Sequence, residues 1–276
     1  MKIIVISGNH PRNLGLPKKL FENKKTEIVG LVLYKREDII PKPDISLDEN
    51  LKKLWEIHFK KRFESEKKFF NFDVNFINNI KNKLIVNNEK ELNSNKILDL
   101  INSVKADACF IQGIPIIKDP VLSALPNYTI NLHLGIIPHY KGAITVFWPF
   151  YFLEPSMVGT TYHIIDRYVD TGEIIHQNVP KLNYGDSMHD VSCKALIAAL
   201  DDIDIVVDEI IARVKTKRKI NKDSSLKTKG RLFKTSDWKP EMLKKIYNQY
   251  NDRIVDMYLD GKIKSSKPEL IKVSRS

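Results

Sequence analysis

The sequence predicts an α/β fold in which a mostly parallel, Rossmann-like sheet is flanked by helices. Residues 2–7, 27–34 and 107–112 are apolar almost throughout, which is typical of strands buried on both faces of a parallel sheet. Segments whose apolar residues recur at helical spacing lie between and after these runs. Because strands and helices alternate along the chain, a parallel sheet covered by helices is the most economical architecture.

The remaining elements follow from local patterns. We expect further strands at 83–86, 128–130, 158–165 and 173–179, and helices at 46–70, 95–105, 185–213 and 240–259. Ser187 is a typical residue to begin the third helix, Pro240 suits the first turn of the fourth, and Gly261 ends it. The aromatic run at 143–153 is expected to pack in the core.

The length and composition indicate one globular catalytic domain with a small appendage. We expect the domain to span residues 1–213, and a basic linker with a small helical C-terminal extension to span 214–276. No apolar run approaches 18 residues, so no transmembrane helix and no membrane partner is predicted. The first ten residues suit a strand better than a signal peptide, which makes the cytoplasm the expected location.

The two cysteines, Cys109 and Cys193, have no metal-ligand spacing. We expect both to be buried small side chains, and we expect no metal site. The net charge of +11 indicates an anionic partner through long-range attraction. Its densest part is the basic run at residues 215–234, for which two roles stay open: a solvated linker, or a segment that binds an anion.

Two groups of polar residues near the first strands have open interpretations. His10 and Arg12 follow the first strand, where open α/β sheets bind ligands, so they are candidate contacts to a phosphate or substrate; the alternative is an ordinary polar loop. His58, Arg62 and Glu66 recur every four residues on one face of the predicted helix 46–70. That face is either an exposed charge ladder or a polar surface turned toward the substrate.

The stretch 128–142, YTINLHLGIIPHYKG, combines strand and loop patterns. Asn131 and His133 are two residues apart in the strand, so both side chains point to the same side. A turn-rich loop follows, and such loops commonly display reactive groups on a rigid scaffold. Residues 166–175, DRYVDTGEII, join two β-rich runs and would bring Asp170 back to the same place.

These two stretches resemble the N10-formyltetrahydrofolate-dependent formyltransferases, whose pattern is approximately N-x-H-x-S-x-L-P-x-Y-R-G followed by D-x-G-x-D-T-G-D. The matching residues are Asn131, His133, Ile137, Pro138, Tyr140 and Gly142, then Asp166, Asp170, Thr171 and Gly172. The departures are Leu134 and Gly135 where Pro-Ser is common, Lys141 for Arg, Tyr168 for Gly and Glu173 for Asp. The catalytic positions Asn131, His133 and Asp170 are unchanged.

The resemblance implies the formyltransferase fold, N10-formyltetrahydrofolate as co-substrate, and a set of contacts. The implied folate contacts are Gln112, Gly113, Ile114, Ile116, Ile165, Asp166 and Val169. The candidate acceptor contacts are His10, Arg12, Tyr140, Lys141 and Gly142.

The chemistry of formyl transfer gives each catalytic residue a hypothetical role. The amide of Asn131 donates to the developing oxyanion. The imidazole of His133 takes the proton of the attacking amine or shares the oxyanion role. The carboxylate of Asp170 orients His133 and sets its charge.

The acceptor is inferred by resemblance as well. The patterns GRLFKTSDW and NDRIVDMYL near the C-terminus look like the extension of sugar N-formyltransferases in surface-polysaccharide and O-antigen pathways. They favour a nucleotide-linked amino-dideoxy sugar as acceptor, with no nucleic acid partner and with a homodimer as an open expectation. The alternatives are a methionyl-tRNA formyltransferase that uses the basic run, and a non-catalytic relative that binds folate or a sugar nucleotide.

Overall fold

A computed structural model describes residues 1–220 and 225–273 of the chain. The strands are β1 (Lys2–Gly8), β2 (Glu27–Tyr34), β3 (Lys83–Val86), β4 (Ala108–Gln112), β5 (Tyr128–His133), β6 (Tyr140–Gly142), β7 (Thr160–Ile164), β8 (Ile174–Asn178) and β9 (Arg231–Phe233). The α-helices are α1 (Pro11–Glu22), α2 (Glu49–Phe69), α3 (Glu89–Leu92), α4 (Asn95–Val104), α5 (Val121–Ala124), α6 (Trp148–Tyr151), α7 (Met188–Asp201), α8 (Ile203–Thr216), α9 (Ser225–Thr228) and α10 (Ile254–Leu259).

Seven strands form one sheet in the order β3-β2-β1-β4-β5-β7-β8. The first five in this order pair in parallel, and β7 and β8 are antiparallel to their neighbours. The predicted mostly parallel sheet is therefore confirmed. The short strands β6 and β9 pair in parallel as a separate two-stranded sheet.

Both faces of the sheet are buried, as the apolar strands predict. Along β1, Ile3 and Val5 pack into a hydrophobic cluster with α1, α7 and α8, whereas Ile4 and Ile6 pack into another with α3, α4 and α5. Each of these isoleucine side chains is fully buried, and such burial is worth roughly 1.5–3 kcal/mol per side chain. Cys109 and Cys193 are buried free thiols, as expected.

A third hydrophobic cluster joins the described part of the C-terminal extension to the rest of the molecule. Leu243 and Ile254 of the extension share it with Leu54 of α2 and with Phe147 and Phe150, which belong to the aromatic run. The expected core role of that aromatic run is confirmed. The extension is therefore packed against the catalytic half of the chain through apolar surface.

The helices differ from the expected ones at three places, which are residues 11–22, 185–213 and 240–259. Residues 11–22 form α1, because Pro11 suits the first helical position and Leu16 and Leu20 pack on the sheet; Gly15 and Pro17 hide this helix from propensity arguments. The helix expected to end at Arg213 is two helices, α7 and α8, because Asp202 leaves the α-helical conformation between them. Helical periodicity does not register a break of one residue.

The helix expected over residues 240–259 is also interrupted. Pro240–Met242 is a 3-10 turn, Lys245–Gln249 is π-helical, and regular α-helix returns only in α10. Asn251 and Asp252 lie between them with φ angles of 49° and 55°. Asn and Asp adopt this left-handed conformation more easily than other side chains do, so they end the helix where an apolar stripe alone predicts that it continues.

The basic run does not behave as a simple linker in the part that the structure describes. Lys215 still belongs to α8, and Arg231 belongs to β9. Lys222 and Asp223 of the run lie outside the described residues.

Candidate active site

Strand β5 and the loop after the neighbouring strand β7 bring the three predicted catalytic residues together. Asn131 and His133 lie on β5, and the loop after β7 returns Asp170 to them. The Nδ1 atom of His133 is 3.5 Å from Oδ2 of Asp170. Asn131 reaches this pair through His163: its Nδ2 atom is 3.1 Å from Nε2 of His163, which in turn is 3.3 Å from Oδ1 of Asp170.

His163 is a fourth member of this group that the sequence analysis missed. It stands directly opposite Asn131 on the antiparallel strand β7 and is fully buried. Its Nδ1 atom is 3.2 Å from the Ile164 carbonyl oxygen. The register between β5 and β7 shows that His163 is a neighbour of Asn131. In the sequence, the one available signal is a histidine in the β-rich run just before DRYVDTG.

The loop at residues 165–172 holds Asp170 in an unusual backbone conformation. Asp170 has a φ angle of 52°, in the left-handed region that Asp tolerates better than most residues do. The Asp166 carboxylate accepts hydrogen bonds from the Tyr168 N–H and the Thr171 hydroxyl, which closes the turn. A Cβ atom on Gly172 would lie 1.7 Å from the Ile164 carbonyl oxygen, so this position admits only glycine.

The surroundings keep the Asp170 carboxylate ionised. Burial alone would raise the pKa of this carboxyl group, but the adjacent imidazoles of His133 and His163, a hydrogen bond from His163 and one from the Gly142 N–H outweigh it and hold the pKa well below its ordinary value. Asp170 is therefore a fixed negative charge next to two imidazoles at any physiological pH.

The backbone of β6 completes the arrangement. The Nε2 atom of His133 donates to the Tyr140 carbonyl at 2.8 Å, so Nε2 carries a proton and Nδ1 faces Asp170. The Gly142 N–H donates to Oδ2 of Asp170 at 2.7 Å. The imidazole and the carboxylate are each oriented by a main-chain group of the same three-residue strand.

Two of the predicted acceptor contacts on β6, Tyr140 and Lys141, use their side chains for hydrogen bonds within the protein. The Tyr140 side chain is buried and donates to the Glu154 carboxylate. Lys141 is buried as well, and its Nζ donates to the Leu226 carbonyl at 2.7 Å. Both remain predicted acceptor contacts. To bind an acceptor, each side chain has to give up this hydrogen bond.

The predicted folate contacts come from two loops that pack against one hydrophobic cluster. Gln112 ends β4, and its two amide atoms are buried without a hydrogen-bond partner among the described residues. Gly113 has a φ angle of 64°, which turns the chain toward Ile114 and the exposed Ile116. From the second loop, Ile165 packs with Ile114, Asp166 closes the turn, and Val169 is part-exposed.

His10 and Arg12 belong to a different polar group. His10 is the residue before α1 and contacts the Glu37 carbonyl through Nε2 at 2.6 Å. Arg12 lies inside α1, not in a loop as predicted, and pairs with Glu66 at 2.8 Å. Burial, with the charge of Arg12 adding to it, lowers the pKa of Arg62 in this group to about 10.

The face of α2 with His58, Arg62 and Glu66 is not the exposed charge ladder that was one interpretation. His58 and Glu66 are buried and Arg62 is nearly so, because this face packs toward α1 and α7. The Nδ1 atom of His58 contacts the Tyr247 hydroxyl at 2.9 Å, which ties α2 to the C-terminal extension.

Within residues 1–220 and 225–273, no group of three or more His, Cys, Asp or Glu side chains is arranged to hold a metal ion. No helix in the same ranges is both long and apolar enough to cross a bilayer. A cavity of about 560 Å³ lies between His139, Glu154, Arg231 and residues 264–269 of the tail. None of the predicted catalytic residues lines it.

Most of the chain matches a known protein family. The model of the formyl transferase family matches residues 2–199. The methionyl-tRNA formyltransferase of Finegoldia magna is 23% identical over 121 residues, which are 44% of this chain and 39% of that protein. The chain spans about two fifths of the length of the curated relatives it matches.

Solved structures show the same fold at low sequence identity. The phosphoribosylglycinamide formyltransferase of Anaplasma phagocytophilum superposes with a TM-score of 0.52 at 15% identity, over 76% of this chain and 88% of that one. WlaRD, a sugar 3N-formyl transferase studied in the presence of dTDP and 5-N-formyl-THF, superposes with a TM-score of 0.51 at 18% identity, over 87% of this chain and 71% of that one.

Proposed function

The chain belongs to the formyl transferase family, and from this premise we propose that it transfers a formyl group from N10-formyltetrahydrofolate to an amine. The proposed acceptor is the amino group of a nucleotide-linked amino-dideoxy sugar, as used in surface-polysaccharide or O-antigen synthesis. The assembly of Asn131, His133 and Asp170 into one contact group, with His163 between Asn131 and Asp170, is the observation that carries the proposal.

The chain's own groups account for the three requirements of the reaction. His133 takes the proton of the attacking amine on Nδ1, because its Nε2 already donates to the Tyr140 carbonyl, and the negative charge of Asp170 stabilises the imidazolium that results. Asn131 donates an amide hydrogen to the oxygen on which negative charge develops. His163 holds Asn131 and Asp170 at their mutual distance.

The folate contacts fit the proposed co-substrate, which supplies the formyl group. Within the described part of the chain, the two buried amide atoms of Gln112 have no hydrogen-bond partner, and a pterin ring has donors and acceptors that are able to supply one to each. The positive φ angle of Gly113, 64°, turns the main chain after β4 toward Ile114 and Ile116. Ile116 and Val169 offer part-exposed apolar surface near the same loops.

Two observations support a sugar nucleotide as acceptor. The superposition with the sugar enzyme WlaRD covers 87% of this chain, against 76% with the purine-pathway enzyme. The net charge of +11 suits a diphosphate-bearing acceptor. The division into a catalytic domain, 1–213, and an extension, 214–276, stays part of the proposal, as do the cytoplasmic location and the homodimer.

A methionyl-tRNA acceptor is the second candidate, because several curated relatives with detectable sequence similarity are methionyl-tRNA formyltransferases. The two candidates differ in their salt dependence. Binding of tRNA releases counterions, so its affinity falls steeply between about 50 and 200 mM salt, whereas a sugar nucleotide makes few phosphate contacts and loses little.

The test is a mass-spectrometric assay with N10-formyltetrahydrofolate and a panel of UDP-, dTDP- and GDP-linked amino sugars, with charged initiator tRNA in parallel. We expect one sugar nucleotide to gain a formyl group, and His133→Ala to abolish the gain. His139→Ala is the matched control, because this histidine is exposed and six residues away in the same stretch. Formylated tRNA with every sugar untouched would reject the sugar proposal, and retained activity in His133→Ala would reject the mechanism.

A further inference from the structure

The strand β6 uses its two edges for different purposes. Backbone groups of successive residues point to opposite edges of a strand, and those of alternate residues point to the same edge. On one edge, the Tyr140 carbonyl accepts from His133 and the Gly142 N–H donates to Asp170. The position of this short strand therefore determines where the imidazole and the carboxylate lie.

The opposite edge of β6 is held by the C-terminal extension. The Arg231 N–H donates to the His139 carbonyl at 3.2 Å, and the Ala143 N–H donates to the Phe233 carbonyl at 2.8 Å. The strand β9 thus pairs with β6 along its whole length. Residues beyond the 2–199 match of the family contact the stretch that orients the catalytic pair.

The ring of Phe233 fixes β9 in the aromatic part of the core. It stacks on Trp148 with ring centroids 4.5 Å apart and an interplanar angle of 13°, and on Tyr140 at 6.0 Å and 12°. It also contacts the ring of Phe152 at 6.1 Å. A stacked aromatic pair adds about 0.5–1.5 kcal/mol beyond the apolar area that it buries.

At two glycines, the backbones of β6 and β9 and of the residues just before them approach so closely that no side chain fits. A Cβ atom on Gly142 would lie 2.1 Å from the Phe233 carbonyl oxygen, and one on Gly230 would lie 1.6 Å from the Pro138 carbonyl oxygen. Both glycines have positive φ angles, 90° and 74°. This approach leaves β6 little freedom to shift while Phe233 stays in place.

We propose that Phe233 is a positioning residue for catalysis, which acts through β9 and β6 on His133 and Asp170. This inference rests on the proposed formyl transfer, and Phe233 itself touches no reacting atom. A misplacement of about 1 Å in a catalytic group costs on the order of 100-fold in rate. Loss of the Phe233 ring should therefore lower kcat while the folate contacts at Gln112 and Gly113 keep KM nearly unchanged.

The test compares Phe233→Ala, Phe233→Leu and Phe233→Tyr with the control Tyr250→Ala. Tyr250 packs against the same hydrophobic cluster from the extension but does not belong to β9. We expect Phe233→Ala to lower kcat about 10- to 100-fold with KM for the folate within about threefold. Phe233→Tyr should restore kcat, and Tyr250→Ala should keep it within about threefold of wild type. Circular dichroism and thermal unfolding verify that each variant is folded.

A second readout is independent of activity. The ring ¹⁵N resonances of His133 report its hydrogen bond to the Tyr140 carbonyl, and they should shift in Phe233→Ala but not in Tyr250→Ala. Phe233→Leu keeps much of the apolar surface and gives the same comparison if the alanine variant is unfolded. Unchanged resonances together with unchanged kcat would overturn the inference, as would an equal loss of kcat in Tyr250→Ala. A wild type that formylates no acceptor rejects the proposed function, and the resonances then decide the inference alone.

Discussion

Replacement of Asp170 by Asn tests the central electrostatic contact of the site. Asn has the same shape, and it tolerates the left-handed backbone that Asp170 adopts, so the substitution removes a charge without straining the loop. Its side-chain oxygen is still able to accept the Gly142 N–H. The variant therefore differs from wild type mainly in the loss of one negative charge 3.5 Å from His133.

The size of the effect follows from that distance. Coulomb's law gives about 5 kcal/mol for two unit charges at this separation and an effective dielectric constant of about 20. The amide dipole recovers part of this energy, so we expect about 3–4 kcal/mol to be lost when His133 becomes positively charged in the transition state. At about 1.4 kcal/mol per factor of ten, kcat should fall on the order of 100- to 1000-fold.

The assay is formyl transfer followed by mass spectrometry under saturating folate and acceptor, with kcat and KM measured separately. Thermal unfolding of the variant shows whether it is folded at the assay temperature. A kcat for Asp170→Asn within about threefold of wild type, in a folded protein, would refute the electrostatic reasoning.

Further predictions address the neighbours of this pair and the buried histidine of α2. His163→Gln should lower kcat about 10-fold, since it loosens both Asn131 and Asp170; equal kcat in this variant would exclude a positioning role. Asn131→Asp should lower kcat by on the order of 100-fold, because a carboxylate repels the developing oxyanion, and a single-turnover rate at wild-type level would contradict this. Burial, aided by the charge of Arg62, lowers the pKa of His58 to about 3. The unfolded state, with an ordinary histidine pKa near 6.5, binds the proton first, so the free energy of unfolding should fall by about 2 kcal/mol between pH 6.5 and pH 5. Urea titrations over this range should show a flatter pH dependence in His58→Gln, and parallel curves would argue against the assignment.

The sequence alone was sufficient for the fold class, and it also supplied the three residues that we propose as catalytic. Apolar strands such as 27–34 are readable because burial on both faces of a sheet allows few polar residues. Asn131, His133 and Asp170 were proposed because the segments that contain them resemble the formyltransferase pattern in residue types and spacing. Signals of this kind lie in short segments of the sequence, so they are visible without the structure.

Only the tertiary structure decided which distant residues meet at the site. His163 joins the group through the register of β5 and β7, and Phe233 reaches it from 93 residues beyond Tyr140 through the pairing of β9 with β6. His58 is a further example. The charges on its face of α2 allowed an exposed position, but His58 is buried and contacts Tyr247 of the C-terminal extension. Packing between segments that are far apart in the chain sets these contacts, and hydrophobic periodicity carries no information about which segments those are.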